Sequence, residues 1–395
     1  MPLLQHYAKD VPLVIFQRPR NKEDSNEFMC ESITLVVNKD TEVKFKGITS
    51  QTEDPDVHAL LAQRVPLFVS TSNINILQAI LSRTSSFSTS VGPCGFADVI
   101  ECLEIAERAG SDNVTRRVYL FENDSERFKK QIEERFDHEQ YEVIQVICDR
   151  ICTQKKVAKD RLHVVCEKFT GMAVIYPSRR SCEDFAPFKQ IGHDLNASPL
   201  KNRRAFPTLI LTHTVEEAQF YHQRKLSLLN GAHFTMAVLA YNTLRYKGHP
   251  QDQWASMNLV EWKSDVANHR AVRVAMQGRI VKLLYTTPKK ILQIVHGTDN
   301  IAEIYLMTMD YVQTTMQRID STSDTLGRVL NLADEQNIRI KHFRYVVDVH
   351  RWLKQNVKVL QECQVITSVH YDDIIGTFES LSEKFEAICT PQEAA

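Results

Sequence analysis

Apolar positions in the first half of the chain fall into short clusters separated by polar and turn-forming residues. Residues 11–16 form a compact apolar run ended by Gln17-Arg18-Pro19-Arg20, the pattern of a buried strand leaving into a loop. Residues 33–37 and 42–45 are rich in strand formers and are separated by Asn38-Lys39-Asp40, which predicts a hairpin. A helical pattern covers 56–64, a strand 67–69, a second helix 75–82 and a strand 87–91, which Gly92-Pro93 stops. Another helix runs through Arg108; a strand follows at 118–121, ending at Glu122-Asn123-Asp124, and then a charged helix over 125–136. Such strand–helix alternation predicts a mostly parallel sheet with helices on both faces. Ligands in that architecture sit beyond the carboxyl ends of strands, where Gln17-Arg18, Gly92-Pro93 and Glu122-Asn123 all lie.

The texture changes after about residue 185. Residues 185–204 read as a loop with Pro187, Gly192, Pro199 and the basic group Lys201-Asn202-Arg203-Arg204. Long helical patterns then cover 215–246, 254–284, 301–319, 325–336, 341–360 and 372–388. Breakers separate several of them: Gly248-His249-Pro250, Thr287-Pro288 and Gly297-Thr298-Asp299-Asn300. The expected organisation is an α/β domain over 1–184 and an all-α domain over 185–395. The charge blocks 127–135 and 341–344 are expected to be solvated helix faces.

Composition narrows the function classes. Of 395 residues, 43% are hydrophobic and 25% charged, which is ordinary for a globular protein and argues against disorder. Lys+Arg 48 against Asp+Glu 49 leaves a net charge of −1, so a general nucleic-acid or membrane-surface binder is not expected. No apolar run reaches the length of a membrane span, and Met1–His6 lacks the basic and apolar regions of a signal peptide. Nine cysteines then suggest reduced thiols and a cytoplasmic setting. The pair Cys148-x3-Cys152 lacks metal-site spacing, so no metal is expected there.

The segment that carries chemistry is Arg224-Lys225-Leu226-Ser227-Leu228-Leu229-Asn230-Gly231-Ala232-His233. On an α-helix Lys225, Asn230 and His233 fall at about 0°, 140° and 80°, fanned over one side among apolar leucines. A mid-helix glycine costs about 1 kcal/mol relative to alanine, so Gly231 predicts that something approaches the backbone closely. An ordinary amphipathic helix with its polar side in water fits the same pattern. So does a chance Tyr-x3-Lys, since Tyr221 and Lys225 have the spacing of short-chain dehydrogenases without that fold's glycine-rich opening. Histidines such as His163, His193, His249 and His296 share no spacing and read as surface or satisfied buried rings.

The string K-x4-N-x2-H, in its Leu-Leu-Asn-Gly-Ala-His setting, resembles the signature of the mannitol dehydrogenase family, the polyol-specific long-chain dehydrogenases and reductases. Four earlier segments follow the family's order: Thr89-Ser90-Val91-Gly92-Pro93, Phe121-Glu122-Asn123, Val146-Ile147-Cys148-Asp149-Arg150-Ile151, and Val164-Val165-Cys166-Glu167-Lys168-Phe169 with Val174-Ile175. The resemblance covers residues 65–246 and is poor beyond. It implies a Rossmann-like first domain, a helical second domain, and hydride exchange between a polyol and a nicotinamide cofactor in a site between them. Residue by residue, it makes Lys225 the general base and has Asn230 and Asn123 polarise the reacting oxygen. It has His233 orient substrate hydroxyls and Asp149 anchor substrate. Gln17, Arg18, Val91 and Gly92 would hold the cofactor. The implied substrate is mannitol-like, a phosphorylated form or a hexuronate relative, and the implied state is a monomer.

Three departures from that family stand out. No G-x-G occurs, the first glycine is Gly47, and residues 11–16 resemble the second Rossmann strand. The first strand and its phosphate loop are therefore expected to be missing, as in a chain that begins part-way or a lineage that lost them. Gln17 replaces the ribose-reading acid and is followed by Arg18 and Arg20, which favours NADP over NAD. His222-Gln223 stands where the family has an acidic residue before the lysine. The missing loop also sustains an alternative: a homologue without cofactor, acting as a binding or structural protein.

Overall fold

The structure, a computed structural model, describes residues 14–17, 32–37, 41–48, 56–91, 95–110, 115–121, 125–148, 152–157, 160–166, 173–179, 209–248, 256–259, 266–320, 324–330, 339, 343–357 and 368–389. These residues belong to two compact units, Met1–Ala218 and Gln219–Ala395.

The first unit is Rossmann-like. Its strands are β1 (Val14–Gln17), β2 (Ser32–Val37), β3 (Thr41–Ile48), β4 (Leu67–Ser70), β5 (Ser86–Thr89), β6 (Arg116–Leu120), β7 (Tyr141–Cys148), β8 (Cys152–Val157), β9 (Arg161–Cys166), β10 (Ala173–Ile175) and β11 (Leu209–Leu211). Helices α1 (Val57–Ala62), α2 (Ile74–Leu81), α3 (Phe96–Ala109) and α4 (Ser125–Glu133) alternate with the central strands. Asp56 and Asn73 cap α1 and α2 by accepting backbone N–H groups from Ala59 and Ile76.

Where the sequence pattern predicts one mostly parallel sheet, two mixed sheets are found, ordered β1-β4-β3-β2-β9-β8 and β11-β10-β7-β6-β5. The difference has a simple cause. Only three residues separate β2 from β3, and three separate β8 from β9; only antiparallel pairing permits so short a return. Strands separated by helices, β4 from β1 and β5 to β6 to β7, are parallel as expected. The first unit also runs further than residue 184, because β11 pairs in parallel with β10 through Ala173↔Leu209 to Ile175↔Leu211.

Period-2 alternation sorts the core. Val118, Leu120, Tyr141 and Val143 face one side of the second sheet with Phe96, Leu103, Phe128 and Ile132 from α3 and α4. Tyr119, Ile144, Val146 and Ile175 face the other. In the first sheet Val14 and Phe16 join the cluster under α2, whereas Ile15 joins Ile33, Leu35, Phe45 and Phe68. Phe16 of β1 and Phe87 of β5 both pack on a smaller cluster of Leu77, Leu81, Ile105 and Ala106 where α2 meets α3.

The second unit is helical. α5 (Val215–Arg224) leads from the first unit, a π-helical turn follows at Lys225–Asn230, and α6 (Gly231–Tyr246) continues without a break. Then come α7 (Val266–Thr286), α8 (Lys289–His296), α9 (Ile301–Asp320), α10 (Leu326–Leu330), a second π-turn (Phe343–Val347), α11 (Asp348–Gln355) and α12 (Ser368–Cys389). α6 is the central helix: residues 231–240 are all buried, and α7, α10 and α12 pack around it. Helix α8 has no counterpart in the sequence reading. It is short and starts at Pro288; it ends where Gly297 adopts φ 71°, a left-handed stop that glycine takes without strain. Among the described residues, no helix is long and apolar enough to cross a membrane.

The ring of Phe128 stacks on Phe96 with centroids 3.8 Å apart and 9° between planes, pinning α4 to α3. Phe128→Ala is expected to destabilise the first unit by about 3–5 kcal/mol, read by denaturant unfolding. A loss below about 1 kcal/mol would show that this stack does not anchor the helix.

Candidate functional site

The chemistry-bearing string occupies the junction of α5 and α6, and its local geometry differs from the α-helix that the spacing predicts. Between Lys225 and Asn230 the backbone bonds run i→i+5. In an α-helix residues four apart stack one above another; in a π-turn residues five apart do. Lys225 and Asn230, five apart, are therefore brought onto one stripe instead of being spread by 140°. Asn230 and His233, three apart at the start of α6, are helix-surface neighbours. On the wider turn the positions of Lys225, Asn230 and His233 span a smaller arc than at 100° per residue.

Lys225 and Asn230 are half-buried, and His233 is only 7% exposed, so none of the three lies in bulk solvent. Leu226, Leu228 and Leu229 are buried and anchor the turn from its other side. Gly231 meets the expectation of a close approach, and the approaching group is Arg279 of α7. A Cβ built on Gly231 would lie 3.2 Å from the Cδ, Nε and Cζ of that side chain.

Arg279 is an unusual neighbour. It is 1% exposed, donates from Nη2 to Thr235 Oγ1 at 3.1 Å, and lies 5.4 Å from the Phe378 ring and 5.9 Å from that of Tyr345. Its Nε and Nη1 find no hydrogen-bond partner among the described residues. Burial pulls its pKa down to about 9, with Tyr345 acting in the opposite direction, so the group is still a cation at neutral pH. The aromatic faces on either side supply part of the compensation.

His222, one turn before Lys225, is held neutral. Burial first, then the positive charges of Lys225 and Arg344, push its pKa down to about 4. His296 behaves alike: burial and Arg224 bring it to about 4, and its ring meets Phe220 edge-on at 5.6 Å. Tyr221 is buried beside Arg224, whose guanidinium lies 4.9 Å from its ring and 4.3 Å from that of Tyr311. A phenol packed in this way is poorly placed to serve as the tyrosine of a Tyr-x3-Lys pair.

On His233's other side stands Asp324, at 1% exposure, with Oδ2 3.6 Å from His233 Nε2. The sequence reading assigns no role to Asp324 or Arg279. Asp324 carries a faint signal there, an i,i+4 pairing with Arg328 just ahead of an apolar helical run. Arg279 falls on an apolar helical stripe with Val272, Ala275, Met276 and Leu283, and that setting is the signal of its burial.

Of the residues expected to hold a cofactor, Gln17 ends β1 with its backbone opposite Ser70, and Val91 is 50% exposed just beyond β5. Gly95 caps α3 without a side-chain hydrogen bond, and a Cβ there would sit 2.9 Å from that of Val91. The exposed Val91 thus lies beside the start of α3, whose first turn carries Asp98. Arg18, Gly92, Asn123 and Asp149 lie outside the described residues. No group of three or more potential metal ligands occurs among the described residues, and Cys102 is a free thiol.

No protein-family model and no curated protein matches this chain. Solved structures similar to it include Pseudomonas fluorescens mannitol 2-dehydrogenase in a ternary complex with NAD and D-mannitol. That likeness has 13% identity and a TM-score of 0.45, over 91% of this chain and 82% of the other. The 2-dehydropantoate 2-reductase of Geobacter metallireducens GS-15 is similar at 11% identity and a TM-score of 0.40, covering 84% and 95%. Octopine dehydrogenase in complex with NADH and agmatine is similar at 9% identity and 0.38, covering 91% and 80%.

Two outcomes follow from the geometry. Gly231→Ala gains about 1 kcal/mol of helix propensity but must displace a buried guanidinium, at an overpacking cost of about 1–3 kcal/mol. A lowered melting temperature is expected; a raised one would show that Arg279 yields freely. Second, both histidine pKa values lie below the unfolded value of 6.5. Between about 6.5 and about 4 the unfolded chain therefore binds protons that the folded chain does not. Stability should fall as pH drops through that window and level off below it. His222→Gln combined with His296→Gln should flatten the slope of melting temperature against pH; an unchanged slope would assign it to other groups.

Proposed function

We propose that the protein is an NAD(P)-dependent oxidoreductase that interconverts a polyol-type alcohol and its ketone, with Lys225 as general base. The observation that carries this reading is the π-turn, which sets Lys225 and Asn230 on one stripe beside His233. The sequence supports it with five short segments in the order of one dehydrogenase family.

When an alcohol gives up hydride, its hydroxyl proton must leave as well, so a base has to touch the oxygen. Lys225, half-buried and backed by leucines, takes that proton in its neutral form. Asn230 donates its side-chain amide N–H to the same oxygen and stabilises alkoxide character. His233 hydrogen-bonds a neighbouring hydroxyl and fixes which carbon faces the acceptor. Because His222 is uncharged at neutral pH, it adds no charge of its own beside the amine. A bound oxidised nicotinamide supplies the hydride acceptor; Val91 and the start of α3 would hold its ribose-phosphate end, with Gln17 and Arg18 at the other end. Arg18 favours the 2′-phosphate of NADP. A polyol or keto sugar fits the donor set of amine, amide and imidazole.

A second reading, a cofactor-free binding protein, is favoured by one observation: the sequence has no G-x-G turn to cradle a pyrophosphate.

Fluorescence titration with NADPH and NADH separates the two. Binding of either, tighter for NADPH, is expected; no binding of either at millimolar concentration would favour the second reading. Lys225→Ala should then lower polyol turnover at least ~100-fold while coenzyme affinity changes no more than a few-fold. A variant keeping more than about a tenth of the activity would remove Lys225 from the role of base.

A further inference from the structure

Among the described residues, the most deeply buried cation of the second unit faces no carboxylate. Arg279 is 1% exposed, and of its nitrogens Nη2 alone has a hydrogen-bond partner there, the Thr235 hydroxyl. Two aromatic rings, those of Tyr345 and Phe378, complete its company. More exposed cations of the same unit are matched with acids: Lys282 with Asp348, Arg328 with Asp324, Lys354 with Glu379 and Arg270 with Asp373. In the first unit the buried Arg116 donates to the carbonyl of Ala106 in the last turn of α3, where the helix dipole is negative.

Leaving a cation in apolar surroundings is costly, and an apolar side chain could hold α7 against α6 without that cost. The charge has a use in its position. Its Cζ lies 3.2 Å from where a Cβ of Gly231 would be, and so no more than about 9 Å from the Cα of Asn230. Thr235 fixes it there, because the hydroxyl that accepts from Nη2 donates in turn to the Gly231 carbonyl at 2.8 Å. Leu226, Leu228, Leu229 and Phe234 along this stretch are all buried, so little water screens the charge.

We propose that the charge of Arg279 acts through space on the candidate site, stabilising the negative charge that develops on the reacting oxygen beside Lys225 and Asn230. The inference rests on the oxidoreductase reading, which places an alcohol oxygen there. Its effect differs in kind from the hydrogen bond of Asn230: it needs no contact with substrate, and it reaches across Gly231 because no side chain stands between. At such a range, through protein rather than water, one unit charge changes a rate by roughly tenfold.

Two substitutions separate this role from packing. Arg279→Met keeps an apolar stem and removes the charge; Arg279→Lys keeps the charge and removes the fork. Arg279→Met is expected to melt at or above the wild-type temperature, since an unpaired buried charge is lost. A lowered melting temperature, or a variant that does not fold, would make the guanidinium a packing group and overturn the proposal whether or not the protein oxidises a polyol. The single-turnover rate of polyol oxidation should fall about tenfold in Arg279→Met, with KM and coenzyme affinity within about twofold, and Arg279→Lys should recover most of it. The gap between wild type and Arg279→Met should persist in about 1 M salt, which screens exposed charges but not buried ones. Arg279→Met keeping more than about half of the rate, Arg279→Lys doing no better than Arg279→Met, or a gap that salt abolishes each overturns the proposal and leaves the oxidoreductase reading standing. Wild-type protein that binds no coenzyme and oxidises no polyol removes both.

Discussion

One extra residue in a helical turn is the constraint on which the candidate site depends. Wide turns have poor internal packing and persist only where the surroundings over-determine them. Here three buried leucines hold one side of the Lys225–Asn230 turn, and a guanidinium pressed against Gly231 holds the backbone where α6 resumes. With no side chain at 231, α7 can approach closely enough to bring Arg279 against the helix that carries Asn230 and His233. The packing of the second unit and the alignment of its polar groups are thus one problem with one solution.

The electrostatic setting follows from the same packing. Cations gather around this junction: Lys225 and Arg344 act on His222, Arg224 acts on His296, and Arg279 is buried in the core beside it. Nearby histidines respond by remaining neutral, which avoids adding charge where solvent cannot screen it. Asp324 pairs with Arg328 on one side and lies 3.6 Å from the His233 imidazole on the other.

Much of this was legible in the residues, and the limits have physical causes. Local pattern reveals β4, α2, β6 and α4 near their observed bounds: the two helices by their apolar stripe, the two strands as short apolar runs buried on both faces. Sheet membership is a long-range matter: nothing in the run at β11 says that it pairs with β10, so the first unit reads as ending too early. α8 escaped because eight residues between a proline and a glycine resemble a connection as much as a helix. At the site, Lys225, Asn230, His233 and the role of Gly231 stand out by type and spacing. The π-turn does not, since a reading at 3.6 residues per turn assumes away the feature that matters. Asp324 and Arg279 lie 91 and 46 positions beyond His233, and only tertiary packing brings them beside the string.

The first unit carries one further consequence, in how it comes apart. Its two sheets share a seam built on Leu77, Leu81, Ile105 and Ala106, flanked by Phe16 and Phe87, which is slight beside the ten-residue cluster under α3 and α4. A seam that small couples its halves weakly, because cooperativity scales with the apolar surface they bury together. Local opening along the described part of that seam would bare β1 and β4 to exchange before β5, β6 and β7.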